Sequence, residues 1–440
     1  MTGDLNENTN SQERRGVWAA KLSRRDALKV SALAAGAVAL AGAPSLARAA
    51  VGRTKASTIK VASLFDATGV LSIYGAQMTD MAKFAVADIN KKGGVLGQQL
   101  ELKTYDTQSK IDLYSRYAQQ VGADKNVQLV VGGITSASRE AIRPVFDRFN
   151  KLYFYPVIYE GGVCDKLVFV QGSDPKQQQI PLIQWAMKNV GKSFYTIAAD
   201  YNYGHISSDW TKILAKQQGG KVLNTEFIPL DVSDFSSTIQ RIQAAKPDLI
   251  MSHLVGANHV AFFRQFAAAG LTNKIQIVSP TFGLGNEEQV LAPAEGKGIV
   301  VSYAYFDAIN TPANKAFKAA FHKAYPKWKS ITELAAQTWN AWHLWALGVE
   351  KAGSLDQKKV IAALESGIAF AGPAGRIQIE PYTHHVIEDI HLARVNGNHG
   401  YTIFGTYKAL KPAQLVPGAS ETCNLIKNPN THKQIVPKGG

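Results

Sequence analysis

GGITSASREAIRPVFDRFNKLYFYPVIYEG, residues 132–161, contains the change of period on which the architecture turns. It reads as the end of a strand, a polar Thr135-Ser136 turn, an amphipathic helix, and an aromatic strand that closes on Tyr155-Pro156 and Tyr159-Glu160-Gly161. This layout puts Thr135 and Ser136 at a helix N-terminus, where the first peptide N–H groups have no partner within the helix. Capping alone accounts for Ser and Thr at such a place. A cap also serves as a ligand site when a cleft faces it. The strand then delivers Tyr155, Val157 and Tyr159 towards the same edge, so hydroxyls, amides and aromatic faces converge on one small polar ligand. Arg139 and Arg143 read as solvated helix residues or supporting partners, and Glu160 as a structural carboxylate, pairing with a ligand cation being the alternative.

Outward from this stretch, strands and helices alternate. Strands are expected at 59–64, 100–105 and 127–131, the last almost continuously apolar, with helices at 74–91 and 109–123. The pattern restarts with helices at 176–189, 205–218, 235–245 and 258–269 between strands at 194–199, 222–227, 249–254 and 275–279. Helices follow at 312–324, 333–352 and 355–365, and a hairpin at 375–380 and 387–395. Repeated alternation of this kind predicts an α/β fold of two doubly wound, Rossmann-like lobes, with ligands at the strand C-termini that face the cleft.

Several motifs carry a resemblance. TS-x-x-R (135–139), YP-x-x-YEG (155–161), DYNYG (200–204), DAINTPANKAF (307–317) and GPAGRIQIEP (372–381) occur in the order seen in periplasmic binding proteins for urea and short-chain amides. The chain resembles that branch of the type I periplasmic binding proteins from residue 59 to about 408. The resemblance implies two lobes joined by a three-segment hinge, with crossings near 171–175, 302–307 and 371–376. Lobe 1 is then 57–172 plus 307–372, lobe 2 is 173–306 plus 373–400, and 401–440 is a C-terminal tail. It also implies the soluble receptor of an ABC importer, which closes on urea, a short amide or a branched-chain amino-acid-like compound and docks on a membrane permease. Thr135, Ser136, Tyr155 and Tyr159 would position the ligand, Tyr201 and Tyr203 would clamp it, and Ser72 and Tyr74 would wall the pocket. Val255, Gly256 and Phe282, after later strands of the second lobe, are further candidates. Two positions depart from the pattern. Ile134 stands where urea and amide binders carry Trp or Tyr, and Ile158 where they often carry a polar or imino residue. If both face the cleft, the ligand is larger or greasier than urea.

Residues 1–49 read as an export leader. Ser23-Arg24-Arg25-Asp26-Ala27-Leu28-Lys29 resembles the twin-arginine motif, with Ala27 where a Phe is common. An Ala-rich apolar run over 30–43 is too short for a stable membrane anchor, and Ala47-Arg48-Ala49 offers a cleavage site. The formal charge of +14 comes from scattered basic residues without a nucleic-acid motif, so a solvated surface is expected rather than a nucleic-acid partner. Cys164 and Cys423 are the two cysteines; a disulfide pinning the tail is expected, two free thiols being the alternative. No catalytic site is expected, since a nucleophile elbow and a zinc-binding HExxH helix are both missing. Gly191-Lys192-Ser193 precedes a strand, not a helix, and so is no P-loop. His384, His385 and His391 alternate across a strand region, so neither a metal nor another cofactor is expected. Two other classes stand beside the receptor: an amide-sensing regulator, against which the leader argues, and an exported amide-processing enzyme.

Overall fold

The computed structural model describes residues 58–256 and 258–439. The expected leader, with its Arg24-Arg25 pair and cleavage site, lies outside the described residues.

β1 (Ile59–Phe65) is buried at every position except Lys60, as a strand covered on both faces must be. α1 (Ser72–Lys91) buries Met78, Met81, Ala82, Ala85 and Ile89 along one face, and Gly93 and Gly94 turn the chain at positive φ. β2 (Leu100–Asp106), α2 (Ile111–Ala123), β3 (Val127–Gly132), α3 (Ser136–Phe149) and β4 (Tyr153–Tyr155) follow. After the short β5 (Val163–Asp165), β6 (Val168–Val170) completes a five-stranded sheet in the order β2-β1-β3-β4-β6, with every pairing parallel.

The chain enters the second lobe through α4 (Pro175–Asn189), started by a capping box between Asp174 and Gln177. β7 (Ser193–Ala199), α5 (Asn202–Gln217), β8 (Lys221–Ile228), α6 (Ser236–Ala245), β9 (Leu249–His253), α7 (Asn258–Ala268) and β10 (Gln276–Ser279) continue the alternation. Two single turns, α8 (Glu287–Val290) and α9 (Pro293–Gly296), lead to β11 (Val300–Tyr303). α10 (Pro312–Ala324), α11 (Glu333–Ala352) and α12 (Gln357–Glu365) return to the first lobe, where α11 packs on α1. β12 (Ala369–Gly372), β13 (Gly375–Ile379), β14 (Val386–Val395) and β15 (Tyr401–Leu410) close the second sheet. Its order is β12-β13-β14-β11-β10-β9-β7-β8, with β15 on β14. The fold is therefore mixed α/β, with parallel sheets and helices in two lobes.

Three expectations need correction. β11 escaped notice because its four residues adjoin a crossing. β12, placed with lobe 1 by a boundary at 372, hydrogen-bonds to β13 in the second sheet. Residues 401–410, expected to begin a loose tail, form a ten-residue strand along β14. Its exposed and half-buried residues lack the apolar density of an inner strand, because it lies at the sheet edge. The tail proper returns to the first lobe: β16 (His432–Gln434) pairs antiparallel with β5. Cys164 and Cys423 are joined as a disulfide, Cα to Cα 5.6 Å. No helix among the described residues is long and apolar enough to cross a membrane.

Candidate functional site

The lobes meet around a small cavity of about 30 Å³ lined by Tyr74, Ile134, Ser136, Tyr155, Val157, Ile158, Tyr201, Tyr203, Val255, Thr281, Leu284 and Leu334. That is smaller than the roughly 300–1,000 Å³ usual for small-molecule sites. All twelve side chains are uncharged. Six bring branched aliphatic groups and four bring phenol rings.

The first lobe supplies α3. Thr135 is its N-cap, with φ −83° and ψ 157°, and its hydroxyl accepts from the Ser138 N–H at 3.0 Å. Thr135 thus caps and does not line the cavity. The N–H groups of Ser136 and Ala137, in the first turn, have no acceptor among the described residues. Just before the cap, Gly133 sits at φ +79°, and a Cβ there would lie 2.6 Å from the Tyr153 hydroxyl. Tyr155 lines the cavity while its hydroxyl donates to the Ile134 carbonyl at 2.9 Å.

Below this floor lies a buried ionic network. Ser136 donates to Glu160, whose other oxygen accepts from Arg139 Nη2 at 2.6 Å and from the Gln434 amide at 2.6 Å. Arg139 and Glu160 are both fully buried. Arg139 also donates to Glu140 at 2.9 Å and lies over the rings of Tyr155 and Tyr159. Burial opposes the charge of Arg139, but Glu160 and then Glu140 outweigh it and hold the guanidinium well above its ordinary pKa. Arg143, 6% exposed, pairs with buried Asp165 at 2.9 Å. Of the two readings of these arginines, the structure shows supporting partners and not solvated helix residues, because acids that neutralise them come from the loop after β4 and from β5. Glu160 is the structural carboxylate anticipated.

The second lobe supplies α5, whose first turn carries Tyr203. The Tyr203 hydroxyl is buried and has no hydrogen-bond partner among the described residues. Burial pushes its pKa up, so it stays a neutral donor. The N–H groups of Asn202 and Tyr203 are likewise without acceptors among the described residues. Two helix N-termini, one per lobe, therefore open on this cavity with positive partial charge. Behind Tyr203, burial lowers the pKa of His253 to about 3, so its ring is neutral.

Tyr74 crosses between lobes: its hydroxyl accepts from the Gly256 N–H at 2.7 Å and donates to Glu287 at 3.3 Å. Trp210 of α5 donates to the Glu160 carbonyl at 3.0 Å. These contacts join the two lobes across the cavity.

Of the expected residues, Tyr74, Ser136, Tyr155, Val157, Tyr201, Tyr203 and Val255 line the cavity, and the departures Ile134 and Ile158 line it too. Four expected residues besides Thr135 do not. Tyr159 turns away, bonding to His385 and accepting from the Val163 N–H at 3.0 Å. Ser72 is half-exposed at the start of α1. Gly256 uses its N–H on Tyr74. Phe282 packs into the second-lobe core against Phe263, and its neighbour Thr281 lines the cavity instead. Leu284 and Leu334 carried no motif that marked them. Asp147, Asp165 and His432 bring ligand atoms within 4.8 Å of one another, but ion pairing with His432 and Arg143 already accounts for the carboxylates.

Comparison with known proteins places this geometry. The leucine-, isoleucine-, valine-, threonine- and alanine-binding protein of Pseudomonas aeruginosa is 28% identical over 78% of this chain and 89% of its own. The Leu/Ile/Val-binding protein BraC3 of Rhizobium johnstonii is 25% identical over 70% of this chain and 84% of its own. A Rhodopseudomonas palustris ABC-transporter solute-binding protein, solved with 3,4-dihydroxybenzoic acid, superposes with a TM-score of 0.71 at 25% identity, over 80% of this chain and 98% of that one. These are solute-binding proteins and not enzymes. Residues 59–417 match the family described as periplasmic binding protein domain, and the chain belongs to that family.

Proposed function

We propose that this protein is the periplasmic receptor of an ABC importer for a small carboxylate with a compact apolar body. The observation that carries the reading is the cavity wall: two helix N-termini with free N–H groups at one side, and aliphatic side chains that include Ile134 and Ile158 elsewhere. Helix ends favour an anionic head group. Uncharged apolar walls favour a hydrocarbon body over a second polar end. Branched-chain amino acids and 3,4-dihydroxybenzoic acid, ligands named for the relatives, have a carboxylate on a compact body in common, though the amino acids add an ammonium group and the benzoic acid two hydroxyls. Urea lacks both the charge and the body.

The α3 N–H groups hold the head group from lobe 1, and Tyr203 with the α5 N–H groups closes on it from lobe 2. Ligand stabilises the closed form by the contacts it makes only there. The two lobes comprise the five-stranded sheet with α10, α11 and α12, and the larger sheet with β12 to β15, joined near 171–175, 303–307 and 366–369. The leader fits twin-arginine export, and the closed receptor docks on a membrane permease.

Thermal unfolding of the mature protein against leucine, valine, benzoate, 4-hydroxybenzoate, acetamide and urea tests the reading. A carboxylate at about 100 times its Kd adds about 2.7 kcal/mol and raises the unfolding temperature. Stabilisation by urea or acetamide, with no response to any carboxylate, overturns it.

A further inference from the structure

A second cavity, of about 310 Å³, lies beside the first and shares none of its lining residues. Consecutive residues divide between them: Leu284 and Leu334 face the first, Gly283 and Glu333 the second. Both lobes contribute, Glu333 from the start of α11 and Glu288 and Tyr401 from the second lobe.

Its wall differs in kind. Tyr303, Phe306 and Tyr401 form an aromatic cluster, with centroids 5.4 Å apart for Tyr303 and Phe306 and 5.1 Å for Phe306 and Tyr401. Glu288, 5% exposed, accepts from the Tyr401 hydroxyl at 3.0 Å. Glu333, 3% exposed, accepts from the Tyr305 N–H at 2.6 Å and from Gln337 at 3.0 Å. Neither carboxyl has an ion-pair partner among the described residues, whereas Asp307, also on the wall, is paired with Lys318. Lys329, the lysine that lines the cavity, is exposed. A buried carboxyl is costly to ionise without a cation beside it. Burial, and then the neighbouring Glu287, push Glu288 up to about 8, and burial pushes Glu333 up to about 7. Carboxyls without counter-ions beside aromatic faces are the surroundings in which an organic cation is held.

We infer that this second cavity takes a small organic ammonium ion, its charge towards Glu288 and Glu333 and its alkyl groups against Tyr303, Phe306 and Tyr401. Because both lobes line the cavity, the ion favours the closed form and acts as a co-ligand of the receptor. The inference is independent of what occupies the first cavity.

The test is thermal unfolding of the mature protein titrated with tetramethylammonium, choline and ethanolamine, with 3,3-dimethylbutan-1-ol as the uncharged counterpart of choline. At least one ammonium ion gives a saturable rise in unfolding temperature, and the alcohol gives none. Glu288→Gln weakens the apparent affinity about tenfold or more. Phe306→Leu, which leaves both carboxyls in place, weakens it as well. The inference is overturned if none of the three ions shifts unfolding, if the alcohol matches choline, or if both variants bind as the wild type does.

Discussion

Replacing Glu160 with Gln isolates the ionic network under the binding cavity. Glu160 and Arg139 are both 0% exposed, so the substitution leaves a guanidinium inside the protein with its main counter-charge gone. Breaking a buried pair from one side costs about 3–5 kcal/mol. Glu140 remains 2.9 Å from Arg139, at 31% side-chain exposure, and takes over part of the neutralisation. The amide keeps one oxygen for Arg139 and Gln434, so their hydrogen bonds survive. The expected loss is therefore at the lower end, about 3 kcal/mol. Urea unfolding measures it, as a fall in midpoint at unchanged denaturant slope. Ser136 donates to the lost carboxylate oxygen and lines the cavity, so affinity for whichever ligand stabilises the wild type falls as well. Changing both partners, Arg139→Met with Glu160→Met, recovers stability relative to Glu160→Gln, because no unpaired charge remains. A Glu160→Gln protein within about 0.5 kcal/mol of wild type refutes the assignment of this pair as a buried, tightly coupled unit.

Other perturbations separate the remaining parts. Tyr74→Phe removes the hydroxyl that joins Gly256 and Glu287 across the cleft; ligand affinity falls about tenfold, from loss of about 1–2 kcal/mol in the closed form alone, as isothermal titration reads. Cys423→Ser opens a link between residues 259 positions apart and costs about 2–5 kcal/mol in denaturant unfolding; an unchanged midpoint shows that the tail holds without it. Glu288, raised from 4.5 to about 8 by burial and then by Glu287, favours the folded state fully below pH 4.5, and that contribution is lost as the pH rises to 8. Between pH 5 and 8 the wild-type unfolding temperature therefore falls more steeply than that of Glu288→Gln, and parallel curves contradict the shift.

Periodicity made most of the architecture legible. The bounds of α10 and α11 match their expected ranges at both ends, and β1, β2, β3, β7, β8, β9 and β10 lie within a residue or two of theirs, because buried strands and amphipathic helices write their period into consecutive residues. β5, β6, β11, β12 and β16 stayed hidden because three or four residues are too few to show a period. At the site, Ser136, Tyr155, Tyr201 and Tyr203 stood out because strand-to-helix turns of an α/β sheet point into the cleft. Tyr159 misled for the same reason that Tyr155 did not: both sit in one aromatic motif, and only packing against His385 turns one ring away.

By itself, then, the sequence determined the elements, their α/β order, the polar turn before α3 and the tyrosines after β7, since each depends on the identity of neighbours along the chain. Only the tertiary structure decided which residues meet. It brought Glu160 and Gln434 to Arg139, set Ile134 and Ile158 on the cavity wall, and left Glu288 and Glu333 buried beside aromatic rings with no counter-ion among the described residues. Such contacts join residues tens to hundreds of positions apart, and their strength depends on burial and charge neutralisation, which arise only when the lobes pack.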